Sequence, residues 1–355
     1  MFRRSIAVLV MVFAVLFGIS SSQAQSIMLD LPRPSQHAVI TQRVGITDIT
    51  INYHRPLVNK REVWGKLVPY GQVWRAGANE NTTIAFSDAV SIEGKPLAKG
   101  VYGLHMIPGE TEWTIIFSNA HTAWGSFTYK QDADALRVTV KPQSGDFREA
   151  LTYDFDDVKA DSTVATLRWE KVAVPITINV NVHDVVQASL HKQLQGLSQY
   201  YWESGDDAAN YLLAEKYDLD DALKYEDASI QNEERFDNLM TKSQILDALN
   251  RKDEANGIRT KAIAMGNVQQ LHGYGRQLQA QGKQDEAFAI FQMNIKKDPN
   301  HWLVHSEVAR IACAKGDFDK AVKEMKLSAS LAPDNAKSFM ENLAKRLEAK
   351  ENINK

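Results

Sequence analysis

Cysteine is almost absent from this chain of 355 residues. Cys313 is the single one, so no disulfide can form within the chain. Proline is also scarce, with 10 residues, and beyond residue 185 only Pro299 and Pro333 remain. The protein must therefore be stable through core burial without covalent cross-links. The scarcity of proline leaves room for long helices in the second half.

An excess of positive charge is missing too. The 41 Lys and Arg against 44 Asp and Glu give a net charge of −3, and without Arg3 and Arg4 the count is 39 against 44, or −5. No basic stripe remains, so the sequence predicts no nucleic-acid partner. Beyond residue 24 no apolar run approaches the length of a membrane span, which predicts none in the mature protein.

Residues 1–24 have the pattern of a secretory signal peptide. Two arginines precede an apolar run over residues 6–17, and a small-residue cleavage site ends at Ala24. We therefore expect a mature chain that begins near Gln25 and is periplasmic or secreted. An exported protein without disulfides suits a bacterial periplasm.

Residues 25–183 predict a β domain. Short segments of alternating apolar residues, separated by turn signals, give about ten candidate strands. The alternation is clearest at Val172, Val174, Ile176, Ile178, Val180 and Val182. No long amphipathic helix interrupts these segments, which argues against parallel βαβ units. The predicted fold is an antiparallel, jelly-roll-like β-sandwich.

Residues 184–355 predict an array of helical hairpins, so the whole chain is of the α+β class with two domains. The composition, rich in Ala, Leu, Lys, Glu and Gln, favours helix. The sequence also repeats with a period of 34: Gly282, Ala287, Phe291 and Pro299 recur as Gly316, Ala321, Met325 and Pro333. Glycine at a turn, alanine where helices cross and a closing proline resemble the tetratricopeptide repeat. Segments 253–255 and 220–222 suggest two degenerate copies upstream.

The first domain resembles the bacterial domain-of-unknown-function family 2911. The resemblance is carried by RPS at 33–35, VPYGQVWRAGAN at 68–79, GVYGLHMIPG at 100–109 and EWTIIFSN at 112–119. Family members are common among exported proteins and often carry a helical repeat tail. The resemblance implies a fold and no catalytic residues. The chain departs from the family at Lys60, which stands where glycine is usual, and at His54, which replaces a small residue.

Segment 68–83 is the centre of the candidate ligand site. It places aromatic, cationic and carboxamide side chains between glycines, as polar-ligand sites on loops do. The ligand-binding candidates are Tyr53, Arg55, Arg61, Tyr70, Trp74, Arg75, Asn79 and Glu80. Converging arginines can bind a carboxylate, a phosphate or a sugar. The alternative is that Arg75 pairs with Glu80 and with loop carbonyls, and so holds the loop in place.

Trp64, Tyr70 and Trp74 also allow two interpretations. They form a stacking platform for a sugar, or they cover one end of the sandwich core.

Neither a metal nor a cofactor is predicted. The histidines of the β half (His37, His54, His105 and His121) form no HxH or HxxxH word that would suit metal ligation. On its strand, His105 is expected to be half exposed. The chain has no GxSxG nucleophile motif, and Cys313 falls in a predicted helix where a small buried apolar residue is expected.

The protein-binding candidates of the second domain lie in the first helix of each hairpin. They are Gln269, His272, Arg276, Gln279 and Arg310. Arg276 and Arg310 stand one repeat apart and should share the concave face. The alternative is that both are solvated surface charges.

Two functional hypotheses follow. The first is a non-enzymatic binding or scaffold protein, with a small polar or glycan ligand on the β domain and a protein partner on the helical repeats. The second is a cell-envelope hydrolase whose site lies under the 68–83 loop. The lack of a nucleophile, metal or cofactor motif favours the first.

Overall fold

The computed structural model describes residues 31–354, and the expected signal peptide lies outside them. The chain separates into two compact units, the first ending at Val182 and the second beginning at His183. Among the described residues the first unit contains antiparallel sheets and the second contains helices. The predicted α+β layout with two domains is therefore confirmed.

Within residues 31–182 ten strands form two sheets, and every strand pairing is antiparallel. The strands are β1 (Gln36–Val44), β2 (Thr47–Arg55), β3 (Thr83–Phe86), β4 (Val90–Ile92), β5 (Lys95–Leu97), β6 (Gly100–Ile107), β7 (Trp113–Ser118), β8 (Asp134–Val140), β9 (Gln143–Asp156) and β10 (Ser162–Asn179). One sheet has the order β1-β2-β3-β6-β7-β8 and the other β5-β4-β10-β9.

The core lies between the two sheets and follows the period of two. In β2, Ile49, Ile51 and Tyr53 are buried between less buried neighbours. In β10 the buried set includes Ile176 and Ile178. Each strand therefore turns one apolar face inward, as expected for a sandwich.

The alternation predicted along β10 runs too far. The strand ends at Asn179, and a helix begins at Val182. The Val180 N–H donates to the Asp161 carbonyl and the Val182 N–H to the Val180 carbonyl, so the chain turns here. Val180 is still buried like the alternate residues of the strand, so the apolar pattern outlasts the strand pairing, because periodicity alone does not mark where a strand ends.

Residues 56–82 connect β2 to β3 as a long irregular loop. It touches the sheets through isolated bridges, including one in which Trp74 and Met106 exchange two backbone hydrogen bonds of 2.8 Å. Ala76 and Asn79 have positive φ values of 51° and 58°, so the backbone reverses direction between Trp74 and Glu80. This reversal sets where the side chains of the loop point.

Within residues 182–354 ten helices follow one another. They are α1 (Val182–Gln193), α2 (Trp202–Glu215), α3 (Leu219–Asn232), α4 (Phe236–Ala248), α5 (Lys252–Met265), α6 (Val268–Ala280), α7 (Gln284–Lys297), α8 (Trp302–Ala314), α9 (Phe318–Leu331) and α10 (Asp334–Glu348). None of the described helices is long and apolar enough to cross a membrane.

The period in the sequence is also a period in the structure. The pair α8/α9 repeats the bounds of α6/α7 after 34 residues. Gly282 and Gly316, with φ of 77° and 78°, form the turns inside the two hairpins. Ala287 and Ala321 are fully buried, because a small side chain lets paired helices approach closely. Cys313 is a buried residue of α8, as expected.

Candidate functional site

A groove of about 510 Å³ lies in the first domain beside β1, β2 and the start of the described chain. We call it the β-domain groove. It is lined by Leu31, Pro32, Arg33, Ser35, Gln36, His37, His54 and Glu80. Because β1 and β2 are antiparallel, His37 and His54 lie directly opposite each other, with ring centres 5.2 Å apart.

Glu80 is the anionic group of this groove. Arg33 Nη1 donates to its Oε1 at 2.6 Å, and the Arg33 guanidinium also lies over the ring of Trp124. The second oxygen, Oε2, is enclosed, accepts no hydrogen bond, and lies 3.4 Å from His54 Nε2. Burial raises the pKa of Glu80, but the hydrogen bond from Arg33, a backbone hydrogen bond and the charges of His54 and Arg33 together outweigh it, so the pKa falls below its ordinary value. The group is therefore a carboxylate at neutral pH.

The two histidines of the groove bring imidazole nitrogens that can donate or accept hydrogen bonds. Burial lowers the pKa of His54; Glu80 opposes this shift, and the nearby His37 and Arg33 reinforce it. A neutral imidazole can donate through one ring nitrogen and accept through the other. His37 Nε2 is hydrogen-bonded to Asn52 Oδ1 at 2.8 Å, which fixes that ring.

Arg75 does not line the β-domain groove, and its expected pairing with Glu80 is wrong. Its Nη1 donates to the Asn79 carbonyl, and its guanidinium lies 5.5 Å from the centre of the Phe127 ring. The guanidinium packs so closely on Gly125 that a Cβ there would come within 2.9 Å of it. The left-handed backbone at Asn79 presents its carbonyl to Arg75, while Glu80 turns to Arg33. The loop-carbonyl part of the expectation is what the structure shows.

Asn79 and the other polar candidates bond mainly to backbone. Asn79 Nδ2 donates to the Ser35 carbonyl at 3.2 Å, which ties the loop to the segment before β1. Arg55 Nε donates to the Leu151 carbonyl at 3.0 Å. Arg61 donates to the carbonyls of Leu57 and Val58. Arg55 thus joins β2 to β9 and Arg61 stabilises the loop itself, and the structure does not bring the arginines together at one ligand.

The aromatic candidates differ in their exposure. Tyr53 is a core residue, edge-on to Tyr153 at 4.8 Å, whereas Tyr70 is exposed. Trp74 stacks on the buried Trp169 ring, and Trp64 packs edge-on against both. The two tryptophans thus cover the end of the core, in the second of the two expected arrangements.

His105 belongs to a separate buried cluster, and the expectation of half exposure is wrong, since it is only 2% exposed. Its Nδ1 lies 2.9 Å from Ser126 Oγ, on the segment between β7 and β8. Burial lowers the pKa of His105 to about 4; Asp134 opposes this and Arg75 adds to it. Asp134 itself accepts hydrogen bonds from Tyr129 and Arg137. The cluster joins the segment to the sheet, with His105 and Asp134 enclosed and Arg137 partly exposed.

The β-domain groove was only partly foreseen. Its Glu80 was a candidate, but Arg33 and His37 were not, because neither lies near segment 68–83 in the sequence. The available signal was His54, a histidine where the resembling family has a small residue. Its partners depend on the register of β1 with β2 and on the path of a 27-residue loop, residues 56–82. Neither follows from local pattern.

In the helical domain the structure brings three of the five candidates together. Arg276 donates to Gln279, and both Gln279 and Arg310 bond to residues that follow α10. His272 Nδ1 lies 2.9 Å from Glu307 Oε1. Gln269 is an exposed residue of α6. The alternative of a solvated surface charge is wrong for Arg310, which is 3% exposed.

Fold and site together define a β-sandwich domain with a charged groove, followed by an array of helical hairpins. Residues 35–178 match the model of a family described as "Protein of unknown function (DUF2911)". This match confirms the resemblance of the first domain, and it ends before the helices begin. No curated protein matches the chain. The family description names no activity, so the function must be argued from geometry.

Proposed function

We propose that this chain is an exported binding protein that is not an enzyme. Its β domain holds a small neutral polyol, such as a glycan unit, in the β-domain groove. Its helical domain, a tetratricopeptide-like array, holds a protein partner. The observation that carries the first half is the meeting of a cation, an anion and two imidazoles on one open groove: Arg33, Glu80, His37 and His54.

The charges of the groove favour a neutral ligand over an anion. The carboxylate of Glu80 repels phosphate or carboxylate groups, and Arg33 is already engaged by it at 2.6 Å. A hydroxyl group can donate to Glu80 or His54 and accept from Arg33. Leu31 and Pro32 add apolar surface for the C–H face of a sugar ring.

The hydrolase hypothesis has weaker support. Under the long loop, the pair that resembles a base and a nucleophile is His105 with Ser126. The imidazole is buried and packs against Tyr129, with ring centres 5.4 Å apart. A general base must reach the proton it removes from the attacking group in the presence of substrate. The closed surroundings favour a structural role for this pair.

The protein-binding half rests on the regular hairpins. Stacked helical pairs create extended faces formed by the first helix of each pair. The regular spacing of α4 to α9 supports such a face. Export rests on the sequence of residues 1–24 alone.

Glu80→Ala tests the groove. We expect N-acetylglucosamine or maltose to shift the imidazole resonances of His37 and His54 in the wild-type chain, and the variant to bind at least about tenfold more weakly because it lacks the acceptor. Glu110→Ala, at an exposed position that does not line the groove, should bind as wild type. Titration with phosphate and acetate completes the experiment. Shifts from these anions with none from the sugars would contradict the proposal.

A further inference from the structure

The residues that follow α10 lie on the face formed by the first helices of the last two hairpins. We call residues 351–354 the tail segment. It has no helix or strand of its own, yet Ile353 and Asn354 are buried. It contacts Gln279 of α6 and Arg310 of α8, which are two of the sequence-predicted protein-binding residues.

The tail segment is held by hydrogen bonds to both helices. Arg310 Nη1 donates to the Ile353 carbonyl at 2.6 Å. The Asn354 side chain donates through Nδ2 to the Arg310 carbonyl at 2.9 Å and accepts from Gln279 Nε2 at 2.9 Å. Its amide therefore uses a donor and an acceptor at once, which a carboxylate cannot do. These contacts therefore select asparagine at position 354.

The apolar surroundings of position 353 select an aliphatic side chain. Ile353 belongs to an apolar cluster that includes Ala309, Ala312 and Cys313 of α8 and Leu347 of α10. The polar groups beside it are themselves buried: Arg310 is 3% exposed, Gln279 6% and Asn354 8%. Buried polar groups that are matched one by one give sequence selectivity, since a wrong residue leaves a donor or acceptor unpaired.

The tail segment does not satisfy every polar group of the face on which it lies. Arg310 Nε is enclosed and has no hydrogen-bond partner. The first two residues of the tail segment, Glu351 and Asn352, are exposed. The face therefore accommodates a short peptide segment, and the tail segment of the same chain fills it.

We propose that the α6–α8 face is a peptide-binding site, closed in cis by the tail segment, and that its partner is a protein segment with an aliphatic residue followed by asparagine. This inference rests on the proposed protein-binding role of the helical domain, and it specifies the peptide sequence that this domain recognises. The partner segment competes with residues 353 and 354 for the same contacts, so the tail segment is autoinhibitory.

The test uses the peptide Glu-Asn-Ile-Asn-Lys, the sequence of residues 351–355, as a labelled probe. A chain that ends at Lys350 should bind it at least tenfold more tightly than the full chain does. The isomeric peptide Glu-Asn-Asn-Ile-Lys should bind the shortened chain at least tenfold more weakly. The full-length variant Asn354→Asp, which keeps Ile353 in the core, should also gain affinity for the probe.

Circular dichroism first establishes whether the shortened chain melts cooperatively. If the shortened chain does not fold, the probe affinity of the full-length Asn354→Asp variant alone tests the inference. Equal affinity of that variant and of the wild type overturns the inference. A folded, shortened chain that binds both peptides equally removes the stated sequence class and keeps a protein-binding face. A folded, shortened chain that binds neither peptide removes the peptide site itself, and with it the support for a protein-binding face here.

Discussion

The two domains place their charged groups differently. In the β domain, carboxylates pair with arginines near the surface: Glu80 with Arg33, Asp134 with Arg137, and Asp156 with Arg168. In the helical domain, Glu226 and Glu307 are fully buried, the first beside the carboxyl of Asp206 and the second hydrogen-bonded to His272 and Asn294. Strands send polar residues to one face and leave them at the rim, whereas hairpin contacts enclose them between helices.

The consequence for Glu226 is a change of protonation. Burial raises its pKa to about 9, and the carboxyl of Asp206 beside it acts in the same direction, while Lys242 opposes both. The group is therefore a neutral acid at pH 7, which avoids the cost of an enclosed charge. In the β domain the pKa values of Glu80 and Asp156 lie below their ordinary values, so these two groups remain carboxylates. The helical domain should therefore carry the strongest pH dependence of stability at neutral pH.

Glu226→Gln should give the largest effect. Between its unfolded pKa near 4.5 and its folded pKa of about 9, the folded state retains a proton that the unfolded state has lost, so stability falls as pH rises through this window. The slope is about 1.4 kcal/mol per pH unit. Glutamine removes this loss because its side chain is uncharged at every pH. We expect the variant to be more stable than wild type by about 2–3 kcal/mol at pH 7, and by little at pH 4.5.

Denaturant unfolding at pH 4.5, 6 and 8 measures this gain. Glu203→Gln, at an exposed position of α2, is the matched control and should leave stability nearly constant across the series. A gain that is independent of pH would show that Glu226 is ionised in the folded protein. The contrast between the domains would then lose its main support.

Arg75→Met tests the exception in the β domain, an arginine that bonds to a carbonyl and an aromatic ring. Methionine keeps contact with Phe127 but leaves the Asn79 carbonyl without its donor. We expect a loss of about 1–3 kcal/mol in the free energy of unfolding. Arg148→Met, exposed on β9, should cost less than about 0.5 kcal/mol. Equal melting temperatures for the two variants would return Arg75 to the list of ligand-binding candidates.

Lys60→Gly should give the smallest effect. It tests a difference between the domains in backbone conformation, namely which residues stand at positive φ, and not a difference in charge. The turns of the last two hairpins use Gly282 and Gly316 at positive φ, whereas the long loop of the β domain has Lys60 at φ 58°. Glycine removes a strain of about 1–2 kcal/mol, and its freedom in the unfolded chain offsets about 0.4–1 kcal/mol of this. A net gain of about 0.5–1 kcal/mol should appear in thermal unfolding.

Lys66→Gly provides the comparison, because Lys66 is exposed in the same loop and is not among the residues with positive φ. It should lose stability by a few tenths of a kcal/mol or more. If both substitutions destabilise the protein equally, the left-handed backbone at Lys60 carries no strain that glycine relieves.

The sequence by itself determined the class of each domain. The period of two in residues such as Ile49, Ile51 and Tyr53 predicted β2, and the spacing of Ala287 and Ala321 predicted hairpins one period apart. Both signals are local, because a buried face repeats with the geometry of its own strand or helix.

Only the tertiary structure decided which polar residues meet. Glu80 could pair with Arg75, five positions away, or with Arg33, 47 positions away, and it pairs with Arg33. Arg310 was expected to face a partner, and it holds Ile353 of its own chain. Such pairings depend on strand register, on left-handed turns within a long loop, and on the path of a short segment after the last helix. Each of these brings together residues that are distant in sequence, and hydrophobic periodicity carries no information about them.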